Sequence, residues 1–372
     1  MMKRIVALAL ALSLLVSAGS ALADEYKEIN SKEKRKIKLT KVTENKMQAG
    51  VSPTTGLRLS DYEDIPDTFL GLAVTGTYLP MLVQVDNSDG GVNTYAQWGV
   101  IYSDIIYESP LYRTGQTRLS VLFSDLLPDD VGPIRSARVG HVYLAAEWYG
   151  GFVHYGGQTK KGSNINDAMK QVGIKRNWNR FDGTDGGKAW NKFFNPRKGR
   201  PSPHNRAANV AGLSTLVDSG VKPLNHTLLF TDELPTAGDE ATEILIDQGM
   251  VTYNSHIVYE AAENAYYRYI VNKDDEALYV DRDTEEPVVF SNVIVQWTEV
   301  PYNGSKDAPM MKMIGEGNAD IFIGGRHIAG YWKRTKADER TVFYDDQGKE
   351  IELQRGRTLI SILDFSKGVS YK

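Results

Sequence analysis

Two β-type runs, SDIIYES (103–109) and TRLSVLFSD (117–125), are joined by only about seven residues. A parallel crossover needs roughly a dozen residues or more, so the two must pair antiparallel. A turn centred near Arg113 sets Glu108 opposite Arg118 on one face. MLVQVD (81–86) is a further short strand candidate upstream. Beyond about residue 235 the chain reads strand, Gly or Asp turn, strand, repeated through HIVYEAAENAYYRYIV, VVFSNVIVQW, ADIFIGGRHIAGYW and RTVFYDDQGKEIEL. That texture predicts a mainly antiparallel β domain.

Between these regions the period changes. VGPIRSAR (131–138) opens with Gly-Pro, and Ile134, Ala137, His141, Leu144 and Trp148 fall on one stripe at helical spacing. A helix is therefore expected from Pro133 to the Gly150-Gly151 stop. FVHY (152–155) reads as a short buried strand, NINDAMKQVG as a second helix, and a long polar stretch then runs to SPHN (202–205). The fold expected is α+β: a mixed α/β domain over 79–235 holding a polar cleft, then a mainly antiparallel β domain over 236–372. Residues 24–78, with turn chemistry in SPTTG and EDIPD, read as a flexible segment, and their basic run KEKRKIKLTK (32–41) as a solvated arm.

The first 23 residues have the layout of a secretory signal peptide: Lys3 and Arg4, the apolar run IVALALALSLLVSA, then Ala21-Leu22-Ala23. The mature chain is expected outside the cytoplasm with no transmembrane segment. Its net charge moves from −4 to −6 as Lys3 and Arg4 leave, which argues against general nucleic-acid binding. There is no cysteine in the 372 residues, hence no disulfide, no thiolate metal site, no thiol nucleophile and no cysteine for a lipid anchor.

The chemistry concentrates in a few side chains. Arg135 and Arg138 are three apart, and two guanidinium forks near free helix N–H groups would receive phosphate, a sugar carboxylate or a protein carboxylate. An internal network with Glu108, Asp125, Asp129 and Asp130 is weighed ahead of a bound ligand. His154 and His204 lie where the chain turns and suit acid–base work; His141, on the apolar stripe, suits a hydrogen-bonded core. No two histidines stand at a metal spacing, and no nucleophile elbow, P-loop, H-E-x-x-H or dinucleotide glycine pattern occurs. Neither a metal nor a cofactor is therefore expected.

The segments SPTTGL, PMLVQVDN, SDIIYES, TGQTRLSVLFSD, VGPIRSAR, FVHYGGQ and PHN occur in one order, followed by GEGNADIFIGGRHIAGYWKR and FYDDQGKEIELQRGRTLISIL. Together they resemble the YerB-like family of bacterial extracytoplasmic proteins, a domain of unknown function with a distinct C-terminal domain. The resemblance runs from about Ser52 onward. It implies that Asn87, Glu108, Thr117, Arg118, Arg135, Ser136, Arg138, His154, His204 and Asn205 occupy motif positions. Members are commonly lipoproteins, whereas this chain has no lipid-bearing cysteine, and Arg113 stands near an expected acid. Two readings follow. In the first, a non-catalytic envelope protein binds an anionic wall component or a partner protein. In the second, a hydrolase or transferase acts on a phosphate- or carboxylate-bearing wall polymer, with His154 or His204 moving the proton, Glu108 orienting one of them, and the arginines stabilising charge.

Overall fold

The computed structural model describes residues 25–42, 46–87, 97–224, 227–303 and 305–372; the expected signal peptide lies outside them. The first half contributes strands β1 (Met81–Val85), β2 (Ile105–Pro110), β3 (Thr117–Phe123), β4 (Gly151–His154) and β5 (Arg180–Asp182), with helices α1 (Val139–Trp148) and α2 (Ile165–Val172). The second contributes β6 (Glu243–Asp247), β7 (Ser255–Glu260), β8 (Ala265–Val271), β9 (Asn292–Thr298), β10 (Gly315–Ile323), β11 (Arg326–Arg334), β12 (Thr358–Asp364) and β13 (Gly368–Tyr371). The chain is mostly β with few helices.

The two halves share one eleven-stranded sheet, whose principal strands run β11-β10-β9-β12-β2-β3-β1-β4-β5. Its join is the parallel pairing of β12 with β2, Thr358 opposite Ile105 and Ser361 opposite Glu108. A six-stranded antiparallel sheet built on β13-β6-β7-β8 packs against one face. On that face lie Val83, Ile106, Leu119, Val121 and Leu359, in one cluster with Ile244, Ile257 and Ile270 of the smaller sheet. The alternate residues Leu82, Ile105, Leu122, Ile294 and Ile360 point the other way, onto Val142 and Leu144 of α1 and Ile165 and Met169 of α2. With both faces covered, β2 and β3 are buried along their whole length, which explains their nearly continuous apolar runs. Each such side chain contributes about 1.5–3 kcal/mol.

Three expectations are corrected. The helix does not begin at Pro133. Residues 131–135 are extended, bridged Val85 to Ile134 and Val131 to Ala208, with the Arg135 N–H donating to Gln84 O at 2.9 Å. Those amides serve sheet pairing, and α1 begins after an N-cap at Arg138. The β2–β3 register also differs by one residue: Glu108 faces Leu119, and Arg118 faces Ser109. The six loop residues between the strands have no central one. A one-residue slip moves a side chain to the other sheet face, so Glu108 and Arg118 lie on opposite faces.

Finally, the segment 24–78 is not loosely held where it is described. Lys27–Glu28 pairs with β13. Arg35 donates to Asp320 Oδ1 at 2.6 Å and to the carbonyls of Ala319 and Gly330. Ser52, Thr54 and Thr55 are buried. Thr54 donates to Asp104 Oδ2 and Thr55 to Asp125 Oδ2, both at 2.8 Å; among the described residues neither acid forms a salt bridge, and the Oδ1 of each is buried without a hydrogen-bond partner.

Candidate functional site

The end of β1 straddles the sheet. Gln84 and Asp86 continue the face that carries Arg118, whereas Asn87 turns to the face of Glu108. Asp86 is fully buried and is the point on which two guanidinium groups and an imidazole converge. His204 Nδ1 lies 2.7 Å from its Oδ2, Arg135 Nε is 3.2 Å from the same oxygen, and Arg118 Nη1 is 3.6 Å from Oδ1. The Asp86 N–H is itself fixed by Pro133 O at 2.7 Å.

One carboxylate does not satisfy this set. Arg118 is 3% exposed, yet its Nε and Nη1 make no hydrogen bond among the described residues, and Arg135 Nε, although 3.2 Å from Asp86, is not aligned to donate to it. Burial pushes the Arg118 guanidinium down to about 10, against the pull of Asp86 and with the repulsion of Arg138 and Arg135. Buried N–H donors without acceptors cost free energy, so the cluster holds unused capacity for negative charge.

Arg138 points elsewhere. Its Nε donates to Asp307 O at 2.9 Å and its Nη1 to Ala137 O at 3.1 Å, while its own N–H donates to His141 Nδ1 at 3.0 Å. His141 Nδ1 is therefore an acceptor and Nε2 carries the proton, facing Ser109 Oγ at 3.1 Å. In that tautomer His141 cannot act as base toward Ser109. Its burial together with Arg118 and Arg138 holds it well below the usual histidine range.

Glu108 belongs to a second network on the opposite face. Oε2 accepts from Arg268 Nη2 at 2.6 Å, and Oε1 from Thr117 Oγ1 at 2.7 Å and Asn87 Nδ2 at 3.2 Å. Asn87 Oδ1 accepts from Gln97 Nε2 at 3.1 Å. The expectation that Glu108 orients a histidine is overturned: its partner is an arginine of the second half, and the acid beside His204 is Asp86.

His154 is also separate. Nδ1 donates to Gly156 O at 2.8 Å, and Nε2 accepts from Arg180 Nε at 3.1 Å. Both nitrogens are occupied, and burial lowers its pKa, leaving it a neutral structural residue beside Asp182. Ser136 donates to Tyr155 O at 3.2 Å. Asn205 Oδ1 is buried without a described partner.

The structure thus brings Arg118, Arg135 and His204 together. It places Asn87, Thr117 and Glu108 behind them, and it separates His154, Ser136 and Arg138. Sequence reasoning missed Asp86 and Arg268. An acid closing the apolar run MLVQV was a visible signal for the first; nothing local to YYRY marks Arg268. Among the described residues no cluster of three or more His, Asp or Glu has metal-binding geometry, and no helix is long and apolar enough to cross a membrane.

Asp86, Glu108, Arg118, Arg135, His204 and Arg268 fall within two matched family domains. Residues 71–221 match the N-terminal domain of a protein family of unknown function, DUF3048, and residues 246–360 match its C-terminal domain. The chain belongs to this two-domain family. A Bacillus subtilis (strain 168) relative named "Putative lipoprotein YerB" is 26% identical over 293 residues, 76% of this chain and 81% of that protein. The crystal structure of YerB protein from Bacillus subtilis has the same fold, with a TM-score of 0.64 at 22% identity, covering 86% of this chain and 99% of that one.

Proposed function

We propose that the protein is a non-catalytic, extracytoplasmic binding protein that takes an oxyanion of an envelope component between Arg118, Arg135 and His204. The observation that carries this reading is the buried guanidinium of Arg118 with two N–H donors unsatisfied, set against the single carboxylate of Asp86. A phosphate or carboxylate would supply the missing acceptors, and charge-assisted bonds in a buried setting are the strong ones. The extracytoplasmic placement rests on the signal-like N-terminus and on the name of the Bacillus relative. Titration calorimetry with inorganic phosphate tests the reading. Arg135→Gln should weaken binding about tenfold or more, a loss of roughly 1.5–3 kcal/mol. Asp86→Asn, which removes the internal competitor, should tighten it. No measurable phosphate binding by the folded wild type, or weaker binding by Asp86→Asn, would reject it.

One contact favours a second reading. The pairing of Asp86 Oδ2 with His204 Nδ1 at 2.7 Å is the arrangement that orients an imidazole for proton transfer. In a hydrolase or transferase built on it, His204→Ala would abolish turnover of a phosphodiester probe while His154→Ala would leave it intact. Equal loss in both variants would remove that assignment.

A further inference from the structure

From Gly186 to Val217 the chain contains no aspartate or glutamate, while Lys188, Lys192, Arg197, Lys198, Arg200 and Arg206 are cationic. In a protein of net charge −4 this is a segregated block. Such blocks are usually neutralised by acids from elsewhere in the fold. Here Arg197 is, by Asp130 at 2.6 Å and Asp283 at 2.5 Å. Among the described residues no other Lys or Arg of the block pairs with a carboxylate.

The block is instead fixed by aromatic rings. Arg197 and Arg200 lie 4.3 and 4.6 Å from the centre of the Trp98 ring, and Arg206 lies 5.2 Å from that of Tyr155. These supports adjoin the strand that carries Arg135. Trp98 bridges Gly132, and Ile134 N donates to Arg206 O at 2.7 Å. Arg282 is tied in by its N–H to Gln97 O at 2.8 Å. Burial first, then the positive charge of Arg282 and of Arg197, pushes Arg200 below its usual value against the pull of Asp283, and Arg200 Nη1 is buried without an acceptor among the described residues. Like charges held together on rigid supports are stabilised when a ligand brings the counter-charge. A small anion held by Arg118, Arg135 and His204 would leave Arg200 and Arg206 without a carboxylate partner among the described residues. The remaining cations need further oxyanions on the same molecule.

We infer that the ligand of this face is a linear, base-free polyanion. One phosphate or carboxylate would sit at Arg118, Arg135 and His204, and the following ones along Arg200 and Arg206. This rests on the anion-binding reading above and deepens it. A nucleic acid fits less well, because base stacking needs an open ring, whereas Trp98 is fully buried and Tyr155 carries a guanidinium.

The test compares inorganic phosphate, linear polyphosphate of about ten units, polyglutamate of similar length and a single-stranded oligonucleotide of similar charge, at two salt concentrations. Polyphosphate and polyglutamate should each bind the wild type at least tenfold more tightly than phosphate does, with a steeper salt dependence. Arg200→Gln, at a half-buried position, should lose about fivefold or more in polymer affinity while binding phosphate within twofold of wild type. Arg118→Gln should weaken phosphate and polymer alike. If phosphate binds but chain length adds nothing, the polymer inference falls and the anion site stands. Polymer binding without phosphate binding would instead remove the Asp86 cluster as its anchor. An oligonucleotide binding more tightly than polyphosphate would overturn the base-free class.

Discussion

Replacing Arg268 by Met should destabilise the whole protein rather than one half of it. Arg268 Nη2 and Glu108 Oε2 are 2.6 Å apart, and each side chain is 1% exposed. The substitution leaves Glu108 with two neutral donors, Thr117 and Asn87, and no cation. Breaking a buried pair from one side costs about 3–5 kcal/mol, mostly because the remaining charge is stranded. Glu108→Gln should cost a similar amount, since among the described residues the buried Arg268 is then left with neutral partners, Ser255 Oγ at 2.9 Å, the Tyr279 ring and the new amide, and no counter-charge. Removing both charges, as Glu108→Leu with Arg268→Met, should cost less than either single change. Urea unfolding followed by tryptophan fluorescence and by far-ultraviolet circular dichroism measures all three. Because β12 and β2 share the central sheet, the two signals should move together in one transition. A loss below about 1 kcal/mol for Arg268→Met, or a double variant as costly as the two singles added, would refute the reasoning.

Other outcomes follow from the same geometry. His141 and His154 are held below the ordinary histidine range by burial, so only the unfolded chain takes up their protons as pH falls past about 6.5. Each should pull stability down there by up to about 1.4 kcal/mol per pH unit, so the change in urea midpoint from pH 7 to 5.5 should be less unfavourable in His154→Gln than in the wild type, and the same change in both would contradict this. Asp104 and Asp125 move in the opposite direction, since burial, and for Asp104 also its neighbour's charge, raise them above the usual carboxylate range. The folded state then keeps a proton that the unfolded state releases, and stability falls as pH rises between the ordinary and the raised values. Asp104→Asn should flatten that limb and leave the fold intact, as urea midpoints between pH 4.5 and 8 would report; an unchanged slope would count against it. A Cβ at Gly150 would stand 1.8 Å from Pro80 O; Gly150→Ala should therefore yield little soluble protein or lower the unfolding free energy by more than about 2 kcal/mol, and wild-type stability would show the contact to be yielding.

The elements were more legible than their registration. β2 and β3 are visible because each is a β-branched or aromatic run, and the short link between them forces antiparallel pairing. Their alignment depends on how the loop closes: Gln116 O accepts from both Leu111 N and Tyr112 N. It also depends on Gly115, at φ +121°, packing against the backbone of Gln248 and Met250. That partner is more than a hundred residues away, beyond any local pattern. Ile134 and Ala137 matched a helical stripe because three-residue spacing also suits an extended segment buried between neighbours. Ser52, Thr54 and Thr55 looked like loop chemistry, as hydroxyl-rich stretches do; their role as donors to Asp104 and Asp125 requires the tertiary fold. Arg118, Arg135 and His204 were each recognisable as candidates within a larger set that also held Glu108, Arg138 and His154, but Asp86, at the end of an apolar strand, becomes the hub only when three separate segments meet.

The strand order carries a consequence for assembly. β2 is made early, yet its neighbour on one side is β12, some 250 residues later in the chain. Until residues 358–364 arrive, a chain emerging from its N-terminus exposes an apolar β edge of the kind that invites wrong partners. A nascent-chain helper, or a delay in collapse of the leading half, would then be required, and truncation before Thr358 should yield aggregates in place of a stable N-terminal fragment.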